Sequence, residues 1–366
     1  MAGYDLSLFN NGTADATDAI QSLLDAGGEI YLPEGNYRIT RTLRIHSDTD
    51  LSLHRRARLF VDGDVPKHAG DFLLTNAGGD KNIRIRGGVW DGNNQGQYNV
   101  RGELLDITGY SGVLLAFDRL TDLTIEDVTL ANPAAYYTRF CRLDGFEIND
   151  VRFMSEERRS NQDGIHLCGG CRNGVVRHLL AITRGQTRDD MIALNADDCM
   201  DRVECHGTMR GDIENVLFED VYAEDCATIL RLLSVTANIR NITFRRIFGG
   251  YHTMAVNIDA ARYCRTPLFR DANEPNGVGR IENVTIDTFH CRPLEENRTA
   301  VVLESQCRDL AIRNFSFDNA YPGTAALAAR YIPGSRLTVD GAIHDLPGHD
   351  DEFRAAAFRD LTVTRI

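Results

Sequence analysis

The sequence predicts an all-β fold, a single-stranded parallel β-helix closed at its start by a short helix. Three observations carry that prediction. The first is a recurring phrase: an Asn, Asp or Gly, then alternating apolar positions, then often Asp or Asn. It stands as Asn82-Ile83-Arg84-Ile85, as Asp122-Leu123-Thr124-Ile125-Glu126-Asp127-Val128 and as Asn215-Val216-Leu217-Phe218-Glu219-Asp220-Val221, with further copies opening at Gly145, Asn173, Asn241, Asn283 and Asp309. The second is the spacing: neighbouring copies start roughly 23–28 residues apart, or about 40 where a loop is inserted, a period that marks a solenoid. The third is the alternation within each copy, whose period of 2 is a strand signal. Leucine-rich repeats share the spacing but need a Leu-x-x-Leu-x-Leu frame with helix between copies. Here the intervening segments are short and β-branched or Gly/Asn-rich, which suits stacked coils of parallel strand.

The elements follow in order. Asp15-Ala16-Thr17-Asp18-Ala19-Ile20-Gln21-Ser22-Leu23-Leu24 reads as an N-capped amphipathic helix, and a solenoid needs its open end covered. Gly27 to Tyr37 reads as strand, turn, strand, so residues 1–40 form the N-terminal cap. Asn at the same place in successive coils suits a turn, because Asn tolerates the left-handed conformation. Asn241-Ile242-Thr243 and Asn283-Val284-Thr285 fit a glycosylation pattern but lie in strand repeats, which makes them structural. Repeats weaken over 319–366, where the last coils close the other end. No linker is visible, so residues 1–366 read as a single domain.

Composition narrows the function. The 366 residues are 43% hydrophobic, enough for a sizeable core. A net charge of −13 argues against nucleic acid or an anionic membrane as partner, since both want basic patches. There is no long apolar run and no basic start before one, so the expectation is a cytoplasmic chain whose nine cysteines are mostly free thiols. Cys168-Gly169-Gly170-Cys171 has C-x-x-C spacing, but no second pair completes a zinc set, and a tight turn is the better reading.

The most informative segments are Asn161-Gln162-Asp163-Gly164-Ile165-His166-Leu167 and Arg188-Asp189-Asp190-Met191-Ile192-Ala193-Leu194-Asn195, about one repeat apart. Aligning the coils by their inward apolar pairs sets Ile165 and Leu167 with Ile192 and Leu194 and with Leu230 and Leu232. His166, Ala193 and Arg231 then point outward on one sheet, and Asp163 and Asp190 occupy equivalent places at its start. Stacked strands are ~4.8 Å apart, which makes the two carboxylates neighbours, with Asp189 beside them. Asp is common at turns for backbone hydrogen bonding. Three carboxylates together with His166 and Arg231 are a stronger signal: one must keep its proton to higher pH, which separates an acid from a base, as glycosidic cleavage requires.

These motifs resemble those of polygalacturonases, glycoside hydrolase family 28. Asn161-Gln162-Asp163-Gly164 resembles that family's Asn-Thr-Asp-Gly, and Arg188-Asp189-Asp190-Met191-Ile192-Ala193 resembles its Gly-Asp-Asp-Cys-Ile-Ala. Leu230-Arg231-Leu232 resembles Arg-Ile-Lys, Asn132-Pro133 is similar to the Ser-Pro segment, and Thr17 to Gln21 is similar to the capping helix. The resemblance implies a right-handed parallel β-helix, an oligosaccharide substrate, and hydrolysis with inversion that needs no metal or other cofactor. It implies Asp189 as general acid, with Asp163 and Asp190 holding the attacking water. The departures are the Lys of Arg-Ile-Lys, replaced by Leu233, the Gly before the Asp pair, replaced by Arg188, and a Gly-His-Gly motif present only as Cys205-His206-Gly207. A plain polygalacturonan substrate is therefore not implied. Arg188 could bind carboxylate from another side, and His206 is carried as a candidate.

Further candidates surround this core. Asn195, Asp197, Asp198 and Asp201 form an acidic loop that closes over the site, binds a cation or is simply solvated. By alternation Asn257 and Asp259 share the face of Arg231, where they line a further subsite or an outer polar face. Trp90 and Tyr98 lie at the inserted loop Asp91 to Arg101; a lone Trp more often packs than stacks on sugar. The leading expectation is a glycosidase with Asp163, Asp189 and Asp190 as catalytic residues and His166, Arg188, Asn195, His206, Arg231 and Asn257 binding substrate. The alternatives are a lyase, epimerase or glycan transferase on the same scaffold, or a non-catalytic carbohydrate-binding β-helix.

Overall fold

The structure, a computed structural model, describes residues 5–63, 73–97, 112–182, 187–197, 204–205, 208–235, 237–259, 280–303, 307–318, 321, 327–329, 337–339 and 362–363. It is a parallel β-helix. Each strand pairs in parallel with its counterpart one coil on: Leu123 with Phe146, Phe146 with Gly174, Gly174 with Val216, Val216 with Ile242, Ile242 with Val284. Every residue in such a register has a partner ~4.8 Å above and below it, so side chains of one kind form columns. Inward columns make the core, and three pairs of in-register phenylalanines stack there: Phe117 on Phe140, Phe218 on Phe244 and Phe289 on Phe315, with centroids 5.7, 5.1 and 5.5 Å apart.

The recurring Asn and Asp residues are the corners of the coil. Asn82, Asp122, Asn173, Asn215, Asn241, Asn283 and Asp309 all have left-handed backbone, with φ between 52° and 59°. A second left-handed column holds Asp127, Asp150, His178, Asp220, Arg246, Thr288 and Asn314. The phrase read from the sequence is thus one strand between two corners. The side chains of the first column bond along the axis: Asn215 Nδ2 donates to Asn173 Oδ1 at 3.2 Å, Asn241 to Asn215 at 3.0 Å and Asn283 to Asn241 at 2.7 Å. Asn241 and Asn283, the two asparagines of the glycosylation pattern, are committed to this ladder.

Gly174 accounts for the weakest copy of the repeat. It lies in register with Phe146, and a Cβ there would come within 2.0 Å of the Phe146 ring. The aromatic ring from the preceding coil fills the space that an apolar side chain occupies elsewhere.

The first coil is covered as expected, by the helix Thr17–Ala26, which buries Thr17, Ala19, Ile20 and Leu24. The N-cap position is Ala16, which has no capping side chain; Asp15 before it accepts from the Thr17 N–H at 2.9 Å. Gln21 stands in for a missing strand: its amide donates to the Arg44 carbonyl at 2.9 Å and accepts from the Arg44 N–H at 2.8 Å. An open sheet edge is thereby satisfied without offering a template for association. Trp90 packs in the core, with its Nε1 donating to the Gly87 carbonyl at 3.2 Å. Of the closing coils expected over 319–366, the strands Leu327–Ala329, Leu337–Val339 and Thr362–Val363 continue the parallel stack, and most of the rest lies outside the described residues, as does Tyr98.

Asn241→Ala is expected to lower stability in urea denaturation by ~1–2 kcal/mol, from left-handed strain at a residue with a Cβ and from lost ladder bonds. Asn241→Gly, which keeps the backbone conformation, is expected to cost less.

Candidate active site

The in-register stack builds the site from two columns. The first is outward-facing: His166 pairs with Ala193, Ala193 with Arg231, and Arg231 with Asn257. Arg139 occupies the place one coil before His166, because Phe140 pairs with Leu167. The second column lies at the start of the same strands. Asp190 pairs with Thr228, and Asp163 stands one coil earlier, where Ile165 pairs with Ile192 and Gly164 N–H donates to the Asp190 carbonyl at 2.9 Å. Ala193, the smallest side chain of the column, stands between His166 and Arg231.

Local sequence holds these strands in place. Gln162, fully buried, donates to the Pro133 carbonyl at 3.0 Å and the Glu157 carbonyl at 3.1 Å, which anchors the approach to Asp163. Thr138 Oγ1 donates to the Gly164 carbonyl at 3.0 Å and accepts from the His166 N–H at 3.1 Å.

Asp163, Asp189 and Asp190 come together as expected: one carboxylate oxygen from each lies within 4.8 Å of the other two. Asp163 and Asp190 are each 3% exposed, and Asp189 is half-buried. His166 Nδ1 lies 2.6 Å from Asp163 Oδ2, and its ring packs on Tyr136 with centroids 4.5 Å apart. Arg231 Nη1 is 3.6 Å from Asp190 Oδ2, while Asp190 Oδ1 is buried without a partner. Asn161 Nδ2 reaches Asp189 Oδ2 at 3.5 Å. The separation of Asp163 from Asp189 is smaller than the ~6.5–9.5 Å that an inverting carboxylate pair is expected to show.

Burial dominates the electrostatics. It pushes the Asp163 carboxyl well above the usual range, Asp189 adds to the rise, and Arg231 opposes it. Asp190 is pushed up by burial first, then by Asp189 and Asp163, again against Arg231. The Tyr136 phenol is likewise driven up by burial and by Asp163, so it stays protonated. Asp163 and Asp190 therefore titrate as a coupled pair that retains a proton above the ordinary carboxylate range.

Other sequence candidates fall differently. Arg188 is exposed, outside the buried cluster. Asn195 stands in register with Cys168 and Leu233, two residues along from the His166 column. Asp197 is structural: it accepts from the Val235 N–H and, at 3.1 Å, from the Ala237 N–H. It therefore neither closes over the site nor offers a free cation ligand. His206, Asp198 and Asp201 lie outside the described residues, and of Asp259 only the backbone is described. Cys168 and Cys171 are buried free thiols around a Gly-Gly turn. Tyr136 and Arg139 were not singled out from the sequence. The signal for them was the same register extended one coil upstream, hidden because Thr138 replaces one of the apolar flanks.

Three carboxylates could in principle ligate a cation, yet the donor set fits poorly. Calcium takes ~6–8 oxygens, and the Arg231 guanidinium already faces Asp190. The cluster fits a shared proton better than a metal ion.

Neither a family model nor a curated protein matches the sequence. Solved structures do. The chain is similar to the family 28 exopolygalacturonase of Yersinia enterocolitica, with a TM-score of 0.61 at 16% identity over 97% of this chain and 76% of that one. It is similar to a surface adhesin of Streptococcus pneumoniae, with a TM-score of 0.59 at 12% identity over 97% and 87%. It is also similar to the A-module of a mannuronan C-5 epimerase of Azotobacter vinelandii, with a TM-score of 0.56 at 13% identity over 97% and 96%. At such identities the likeness speaks for the fold alone, and one β-helix serves enzymes and adhesins alike.

A carboxyl whose pKa is raised on folding holds a proton that the unfolded chain releases. Stability is then greatest below the unfolded value and falls as pH rises through the folded one. Asp189→Asn removes a charge that raises both Asp163 and Asp190. The variant is expected to melt ~1–4 °C higher than the parent at pH 7–8, with the gain shrinking toward pH 4. A lower midpoint at pH 8 in differential scanning calorimetry would show that the cluster is not under repulsion.

Proposed function

We propose that this chain is a glycosidase that hydrolyses a glycosidic bond of an oligosaccharide at the Asp163–Asp189–Asp190 cluster. The observation that carries the reading is the convergence of three carboxylate oxygens within 4.8 Å, two of them on residues almost wholly buried, beside a cation and an imidazole. Carboxylates are costly to bury without a use, and glycosidic cleavage uses one carboxylic acid and one carboxylate.

The roles follow from position. Asp189, the least buried of the three, receives the proton that burial holds on the Asp163–Asp190 pair and passes it to the leaving oxygen as the bond to the anomeric carbon breaks. Asp163 and Asp190 are stacked one coil apart, so each can accept one hydrogen of the same water. That water attacks the anomeric carbon, and its proton goes to the pair. Arg231 steadies the charge on Asp190, and His166 holds Asp163 in place. A water held between two carboxylates, rather than a carboxylate oxygen, is then the attacking group, which gives inversion although the Asp163–Asp189 approach is closer to the ~5–5.5 Å of a retaining pair than to the ~6.5–9.5 Å of an inverting one. His166, Arg231 and Asn257 border the sugar, and Tyr136 and Arg139 extend the groove upstream.

Asp189→Asn is expected to lower turnover by at least ~10³-fold with the fold intact by circular dichroism. Products should gain one water by mass spectrometry. Unsaturated products without added water would instead establish a lyase, and no products from pectic, rhamnosyl, galactosyl or fructosyl oligosaccharides would favour a binding module. Proton NMR of the first anomer released should show inversion; a retained anomer would make Asp163 or Asp190 the nucleophile. Activity is expected to survive EDTA unchanged, and a requirement for added calcium would reassign the carboxylates as metal ligands.

A further inference from the structure

Asn257 is fully buried, and among the described residues neither its Oδ1 nor its Nδ2 has a hydrogen-bond partner. A leucine of similar shape would avoid the cost of an unsatisfied amide, so the position asks for a ligand. Asn257 follows Arg231 one coil along the outward column of the site, and Val302 follows Asn257.

The charges on this side are already matched. Arg231 is paired with Asp190 at 3.6 Å. The residue two places after Arg231, where the family motif carries Lys, is the buried Leu233. Beyond Arg231 the column thus presents a neutral amide and then an aliphatic side chain. An amide sets one donor group beside one acceptor, which complements two adjacent hydroxyls, each able to give and take a hydrogen bond. A uronate carboxylate is a poor match, because it has no hydrogen for Oδ1 and finds no unpaired cation there.

We propose that Asn257 binds adjacent hydroxyls of a neutral sugar residue, so that the Arg231–Asn257 side of the scissile bond is a subsite for a neutral rather than a uronic acid ring. The proposal rests on the glycosidase reading of the carboxylate cluster. Asn257 is covered, so sugar binding requires the atoms that cover it to move aside.

The test uses the full chain carrying Asp189→Asn as a non-turning-over trap, with and without Asn257→Leu. Calorimetric titration compares rhamnosyl, galactosyl and fructosyl oligosaccharides with trigalacturonate, alongside thermal melts. The expected result is binding of at least one neutral-sugar oligosaccharide, weakened at least tenfold by Asn257→Leu, with a melting midpoint equal to or above that of the parent. A midpoint several degrees lower with affinity unchanged would show that the amide is a structural group, and would overturn the proposal. So would trigalacturonate binding more tightly than every neutral probe and unaffected by Asn257→Leu, while leaving the glycosidase reading intact. Binding of no saccharide at all would overturn both.

Discussion

The structure depends on one constraint: successive coils stack in register. Left-handed corner residues return the chain to the same place on each turn, and the asparagine ladder from Asn173 to Asn283 ties those corners together. Because the register is kept, a residue's position within its coil decides its neighbours in the coils above and below. The phenylalanine stacks in the core and the stacked carboxylates of the site have the same cause. A single added residue in one strand would turn its outward column inward, and the site would be lost along with the core.

The site sets this regularity against electrostatics. Stacking that favours like residues in the core forces like charges together when the column holds Asp. Asp163 and Asp190 are neighbours by register, and burial makes their ionisation costly. Arg231 opposes the rise at both, helped by the Asp190 N–H at Asp163 and by the Thr228 hydroxyl at Asp190. Stability given up in this way is the usual mark of a functional site. Among the described residues, Asp190 Oδ1 and the Asn257 amide are buried without hydrogen-bond partners.

The scaffold does not choose the chemistry. A polygalacturonase, an epimerase and an adhesin share its architecture at similar levels of likeness. What separates such proteins is which side chains stand on a few outward columns. Here the three carboxylates, with His166 and Arg231 beside them, are the features that carry functional weight.

The sequence by itself determined the strand period, the coil length, the corner residues and the register that stacks Asp163 under Asp190 and aligns His166, Ala193, Arg231 and Asn257. All of these follow from periodicity, which is a local property repeated along the chain. Only the tertiary structure decided how deeply the carboxylates are buried, that their oxygens approach within 4.8 Å, and that His166 pairs with Asp163 and packs on Tyr136. It also decided that Asp197 is taken up by the backbone of Val235 and Ala237, that Arg188 faces solvent, and that Asn257 has no partner among the described residues. Burial and hydrogen-bond occupancy depend on atoms brought from other coils and from loops that break the repeat, and a repeat pattern contains no information about the segments that depart from it.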